Sequence, residues 1–225
     1  MISIIIPAYN EEKYLEKTLK SIHEQTSDDC EIIVVANGCT DNTEKIAQMY
    51  ADRTFTINKP NVSLARNIGA SHAKGEILLF LDADTRLSPN ALEEISAQFS
   101  PSDAVATLVG RPNSARIRYQ IAIALLNARN RTKIYRGSIA GTIITPKRIF
   151  NNTPGFNTHT RIKENVMLIH KLLKFGNYRV IQNTHAIIST RRYERWGLAR
   201  TALFWIINGA KVRLFHKDSH YEAIR

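Results

Sequence analysis

The sequence predicts an α/β protein: an open, mostly parallel sheet flanked by helices, with a helical extension at its carboxy-terminal end. Three observations carry that expectation. Short β-branched runs alternate with amphipathic stretches through the first hundred residues. The runs are continuously apolar, as strands covered on both faces are, rather than alternating. Polar, turn-forming residues cluster directly after the runs, at the strand ends where open α/β sheets gather their ligands.

Taken in order, Ile2 to Ile6 is the first buried strand, and Asn10 is positioned to cap a helix running to about Ile22, with Tyr14, Leu15, Leu19 and Ile22 on one face. Glu31 to Ala36 is a second strand. Asn37-Gly38-Cys39-Thr40-Asp41 is a turn, from which Thr40 or Asp41 can cap a helix toward Tyr50. Arg53 to Ile57 is a third strand, Ser63 opens a helix to about Ala73, and Ile77 to Leu81 is the most hydrophobic strand, running into Asp82-Ala83-Asp84. Further on, the expectations are helix over Ile117 to Asn127, strand over Ile139 to Thr145, helix over Glu164 to Phe175 and a broken strand over Arg179 to Ile188. Tyr193 to Phe215 reads as one or two amphipathic helices. Residues 1–190 form one domain, with a nucleotide-binding half (1–100) and an acceptor half (101–190), followed by a basic amphipathic helical tail (191–225).

Composition narrows the class. A hydrophobic share of 44% with 23% charged residues in 225 residues fits a globular domain with its own core. Two cysteines, Cys30 and Cys39, give neither a disulfide framework nor zinc spacing. The apolar run at Ile2 is cut by Pro7, which argues against a signal peptide, and no uninterrupted stretch has the length of a membrane span. A cytoplasmic location is expected, with the tail peripheral on the inner face of the membrane. The net charge of +11 is concentrated after Arg111, which points to an anionic partner. Nucleic acid ranks last, because no helix-turn-helix, zinc spacing or aromatic RNA-binding motif accompanies the charge.

Asp82-Ala83-Asp84 is the sharpest chemical signal. Two carboxylates one residue apart at a strand end repel unless a cation or donors compensate. Hard oxygen ligands suit Mg²⁺ or Mn²⁺, ions commonly shared with substrate phosphates. Around it stand Pro7-Ala8-Tyr9-Asn10-Glu11 after the first strand, Asn37-Gly38 after the second, and Arg66-Asn67-x-Gly69 before Ala73-x-Gly75-Glu76. In this combination, most strongly from Ser3 to Asn90, the chain resembles the family-two inverting glycosyltransferases of GT-A fold, a Rossmann-like architecture.

The resemblance implies a nucleoside-diphosphate sugar donor, a divalent metal and a role for each matching residue. Pro7, Ala8, Tyr9 and Glu11 match the segment that cradles the nucleoside. Asn37 stands where the family has an Asp that bonds the base, and Ala36-Asn37 replaces the usual acidic pair. Arg66 matches a position near base and phosphates. Asp82 and Ala83 would lie by the ribose or metal, and Asp84 would be the direct metal ligand. Pro154-Gly155-Phe156, followed by Lys163-Glu164-Asn165, matches the turn and helix start that hold the catalytic base. Asn165 replaces the usual Asp, which leaves Glu164 as the carboxylate that can take the proton. Gly141 and Thr142, in Gly137-Ser138-Ile139-Ala140-Gly141-Thr142, resemble the small-residue strand beside sugar and acceptor. No His follows the last strand in Ile187 to Arg192, so His185, Arg191 and Arg192 are the candidates for phosphate or acceptor contact.

The function expected is metal-dependent, inverting transfer of a sugar to a hydroxyl or lipid-phosphate acceptor. The alternative is a non-catalytic nucleotide-sugar binding module, which Ala36 and Asn165 motivate. The tail mixes Trp196, Leu203, Phe204 and Trp205 with Arg195, Arg200, Lys211 and Arg213, a composition suited to an anionic membrane surface and a polyprenyl-phosphate acceptor, or to packing on the domain.

Overall fold

The computed structural model describes residues 1–27, 29–132, 136–138, 141–160, 163–204 and 207. Its first half is the expected parallel unit. Strands β1 (Ile2–Ala8), β2 (Cys30–Asn37), β3 (Arg53–Ile57) and β4 (Ile77–Phe80) lie in the order β3-β2-β1-β4, all parallel, and are linked by helices α1 (Leu15–His23), α2 (Thr43–Tyr50) and α3 (Val62–His72). Every residue of β1 is buried, which is why these strands are continuously apolar. Because the strands are parallel, Ala8, Asn37 and Phe80 all end at one edge, and the segments that follow them meet there.

The second half turns the sheet antiparallel. After β5 (Arg86–Leu87) and α4 (Ala91–Gln98) come β6 (Asp103–Pro112), α5 (Ile117–Arg131), β7 (Ile143–Pro146), α6 (Lys147–Asn151), α7 (Glu164–Leu172), β8 (Asn177–Ile188) and α8 (Arg191–Trp196). Strand β7 pairs antiparallel with β4 and β6, and β8 runs parallel to β6, completing one eight-stranded sheet, β3-β2-β1-β4-β7-β6-β8-β5. One apolar layer, built around Ile4, Ile6, Leu15, Leu79 and Leu108, covers one face. Another, built around Ile5, Phe80, Phe150, Phe156 and Leu168, covers the other.

Several boundaries differ from the sequence reading, each for a local reason. Asn10 does not cap α1. It sits at φ 53, and its side-chain oxygen accepts the Thr40 backbone N–H, tying together the loops after β1 and β2; α1 starts only at Leu15. Asp41 accepts the Thr43 N–H just inside α2, and Asn61, not Ser63, caps α3 by accepting from Leu64. Strand β7 begins at Ile143, while Ile139 and Ala140 lie outside the described residues. Helix α7 ends at Leu172 rather than Phe175. The break expected in the last strand is Asn183, at φ 62. Of the tail, α8 and helical residues 198–204 are described, and the remainder of the expected helix, apart from Ile207, lies outside the described residues. Among those residues no helix is long and apolar enough to cross a membrane.

Candidate active site

The strand ends bring two charge clusters together. In the first, Arg66 of α3, 2% exposed, donates to Asp82 Oδ1 at 2.8 Å and to Glu164 Oε1 at 3.0 Å. Its guanidinium lies 5.1 Å from the centre of the Phe156 ring. Burial works against the charge of Arg66, but Asp82 and Glu164 outweigh it and hold its pKa above the ordinary value. The arginine thus joins the expected metal-side carboxylate to the expected base, although Glu164 lies 98 positions away in sequence.

In the second cluster, Arg191 at the start of α8 makes a two-pronged pair with Glu11, both bonds 2.7 Å, and reaches Asp84 Oδ2 at 3.0 Å. It also lies over the Tyr14 ring at 4.7 Å. Forked guanidinium–carboxylate pairs of this kind are among the stronger polar contacts. Arg191 is held above its ordinary pKa: burial lowers it, while the bonds to Glu11 and the charge of Asp84 raise it more. The Asp84 carboxyl is pushed up to about 6, first by burial and then by Asp82 and Glu11, against the pull of Arg191. Even with an arginine on it, Asp84 is therefore a carboxylate short of positive charge.

The donor set fits a hard divalent cation. Asp82 Oδ1 and Asp84 Oδ2 carry the arginines, which leaves each carboxylate a second oxygen. The backbone comes in close at Gly141, φ 65, where a β-carbon would overlap Asp82 Oδ2, so only glycine leaves that carboxylate its position. Among the described residues no group of three or more His, Cys, Asp or Glu surrounds a metal position. The other ligands would then be water and donor phosphate, the usual arrangement for Mg²⁺ at a nucleotide.

The turn before Glu164 is held from below. Asn67 bonds both backbone atoms of Phe156: its amide donates to the carbonyl and its oxygen accepts the N–H, each at 2.9 Å. Lys171 caps the Gly155 carbonyl at 3.1 Å. Gly155 sits at φ 67, and a β-carbon there would come within 2.7 Å of Asn67 Oδ1. Lys163, at φ 64, then directs the chain into α7, with Glu164 in its first turn.

The remaining expected residues take varied places. Pro7 and Ala8 are buried in β1, and Ala8 offers its carbonyl to Asn37 and Cys39. Tyr9 is half-buried just beyond it. Asn37 is 3% exposed and engaged at both ends of its amide, donating to Ala8 and accepting from Asn61. Ala83 is buried, its carbonyl held by Thr18. Thr142 points into the sheet, where its hydroxyl meets Thr107 and accepts the Leu108 N–H. His185 lies in β8 opposite Val109, and its pKa is lowered by burial and then by Arg111. Arg192 stacks over Trp196 instead of joining Arg191. Phe156 and Asn67, quoted in the sequence only as parts of motifs, and Tyr14, read only as a helix-face residue, also line the site. The spacing of Asn67, directly after Arg66 on a helix facing the sheet, was the available signal.

A mixed α/β sheet whose parallel strands end on paired carboxylates and arginines defines the class, and solved structures share the fold. A mannosyltransferase from Pyrobaculum calidifontis in complex with GDP-Man and Mn²⁺ superimposes with a TM-score of 0.73 at 18% identity, over 98% of this chain and 65% of that one. Residues 1–349 of Staphylococcus aureus TarS in complex with UDP-GlcNAc give 0.68 at 23% identity, over 84% and 58%. The sequence profile of glycosyl transferase family 2 matches residues 3–176, and the chain belongs to that family. Among curated relatives, the glycosyltransferase GlyG of Streptococcus pneumoniae is 36% identical over 110 residues, 46% of this chain and 36% of GlyG. The match thus spans about a third of that relative's length.

Proposed function

We propose that the chain is a metal-dependent, inverting glycosyltransferase that moves a hexose from a nucleoside-diphosphate sugar to a hydroxyl or lipid-phosphate acceptor. The observation that carries the reading is the bridge by one buried guanidinium, Arg66, between Asp82 and Glu164. The bridge supports the reading because it holds Asp82, our metal-side carboxylate, and Glu164, our base, on two sides of one buried donor. Family membership, and neighbours of the same fold solved with UDP-GlcNAc or with GDP-Man and Mn²⁺, support the donor class and the metal.

Asp84 with Asp82 would hold the divalent cation, which when bound would supply positive charge toward a diphosphate leaving group. The chain's own groups do the rest. Glu164 accepts the proton of the acceptor hydroxyl as its oxygen bonds to the anomeric carbon, and the sugar–phosphate electron pair leaves on the diphosphate. Arg66 fixes the Glu164 carboxylate against Asp82, and Phe156 keeps water from the guanidinium. Pro7, Ala8, Tyr9 and Glu11 flank the nucleoside, with Asn37 shaping that wall through its bonds to Ala8 and Asn61. Gly141 leaves room beside Asp82 for the donor sugar, and Arg191 is the second phosphate-side cation. Thr142, His185 and Arg192 support this frame from the sheet and α8.

A second reading, a non-catalytic nucleotide-sugar binding module, draws on two observations. The Asn165 side-chain oxygen is buried without a hydrogen-bond partner among the described residues, and Glu164 is already paired to Arg66. Nucleoside diphosphate release distinguishes the two. Transfer predicts Mn²⁺-dependent release that Asp84→Ala abolishes. Glu164→Gln should lower the rate by about 10²–10⁴-fold while donor affinity stays within a few-fold. A wild-type protein that binds donor with metal but releases no diphosphate would establish the module.

A further inference from the structure

Helix α5 is apolar on two opposite faces, and only one of them meets the protein. Tyr119 and Ile123 are each 1% exposed and pack inward, and Asn127 exchanges two hydrogen bonds with the Gly110 backbone of β6. The other face carries Ile117 at 72% exposure, Ile121 at 54% and Leu125 at 67%. An i, i+4, i+8 series of large aliphatic side chains in water is not needed to fold α5, whose inward face already supplies its packing. With about 100° of rotation per residue, Ile117, Ile121 and Leu125 fall with Ala124 and Ala128 in one arc of about 100°. Arg131 borders that arc on one side, and Arg118 and Arg129 border it on the other.

The charge around the arc selects its occupant. Between Asp103 and Glu164 the chain contains eleven Lys and Arg and no Asp or Glu. Any surface laid on this face must therefore be anionic as well as able to take up aliphatic side chains. A second copy of the chain is disfavoured, because two such faces would bring arginines against arginines with no carboxylate on α5 to compensate. We infer that the outer face of α5 is a docking surface for an anionic lipid bilayer, with Ile117, Ile121 and Leu125 entering the acyl boundary and the flanking arginines meeting the headgroups.

The neighbourhood extends the surface and links it to the site. Tyr119 contacts Tyr193 of α8 with ring centres 5.9 Å apart, joining α5 to the segment that carries Trp196 and the half-exposed Leu203. Asn130, near the end of α5, and Tyr178 both bond the Gly137 carbonyl. A docked α5 would hold Gly137 near the bilayer, where a lipid-linked acceptor would be. The docking itself rests on no part of the transfer chemistry.

The test is co-sedimentation of the full chain with vesicles of phosphatidylcholine alone and with 30% phosphatidylglycerol. The wild type is expected to bind the anionic vesicles, to ignore the neutral ones, and to be released by about 0.5 M salt as the charge is screened. Ile121→Asp with Leu125→Asp should reduce the bound fraction at least tenfold. Both positions face solvent, so melting temperature and Mn²⁺-dependent donor binding in solution should stay unchanged; Ile121→Gln with Leu125→Gln serves if the acidic pair fails to fold. Failure of the wild type to bind anionic vesicles would overturn the inference. So would undiminished binding by either double variant, which would assign the attachment to the tail. A change of oligomeric state in the variants without a change in vesicle binding would assign the stripe to a protein contact and overturn it equally.

Discussion

At the residue scale, the two arginines differ in what their loss exposes. Arg66 is sealed from water, so removing it leaves Glu164, 14% exposed, facing a void with its charge unmatched. Arg66→Met should lower unfolding free energy by about 3 kcal/mol, measured by urea titration of the metal-free protein, and Arg66→Lys should recover only part, because an ammonium cannot fork to two carboxylates. Asp84 behaves in the opposite sense. Its carboxyl is raised from 3.8 to about 6 in the folded protein. The folded state therefore keeps a proton that the unfolded chain has lost, and stability falls as pH rises through that interval. Asp84→Asn removes the penalty: the metal-free variant should be more stable than the wild type at pH 8, by up to about 3 kcal/mol, and equal to it near pH 3.5. An equal difference at both pH values would show that Asp84 costs nothing as a charge. Asp82 and Asp84 stood out in the sequence as paired carboxylates at a strand end, whereas Arg66 and Glu164 were singled out only through the resemblance to the family. The pairing of Arg191 with Glu11 was not legible, since the two lie 180 positions apart and only the closed sheet brings them together.

At the element scale, the legible parts are those whose burial is complete. Strands β1, β2 and β4 read directly from their continuous apolar runs. Strand β6 did not, although nearly all of it is buried: Ala104, Ala106 and Thr107 suit helix and strand alike, and its strand state is fixed by pairing with β7 and β8. Strand β5, two residues long, has no periodicity to read. Asn10 was misjudged because an amide after a strand can cap a helix or take a left-handed turn, and here the bond to Thr40 decides for the turn. The same dependence on tertiary partners governs the turn before α7. Asn67 satisfies both backbone atoms of Phe156, so Asn67→Ala should cost about 1–3 kcal/mol by thermal or urea unfolding. Because Phe156 also covers Arg66, transfer rate should fall further than stability at 25 °C accounts for. Unchanged turnover at full folding would mean that the turn does not position Glu164.

At the scale of the whole molecule, α8 brings a charge of its own to the carboxylates beyond the strand ends. Arg191 supplies positive charge to Asp84 Oδ2 at 3.0 Å, and under the proposed function a cation on the other carboxylate oxygen would compete with this guanidinium for the same negative charge. The competition predicts an order of ligand effects. Mn²⁺ alone should raise the wild-type melting temperature little, because Arg191 already offsets the charge of Asp84 and repels a second cation beside it. Mn²⁺ with a nucleoside diphosphate should raise it by about 5–10 °C at hundredfold saturation, the shift expected of about 2.7 kcal/mol of linkage in a chain of this size. The diphosphate would give Arg191 a new anionic partner. In Arg191→Gln the two responses should converge: Mn²⁺ alone becomes more effective, since its competitor is gone, and the added gain from diphosphate shrinks. Asp84→Ala should lose both. If Arg191→Gln instead left the Mn²⁺-only response unchanged, the arginine would be bracing Glu11 without guarding the metal position.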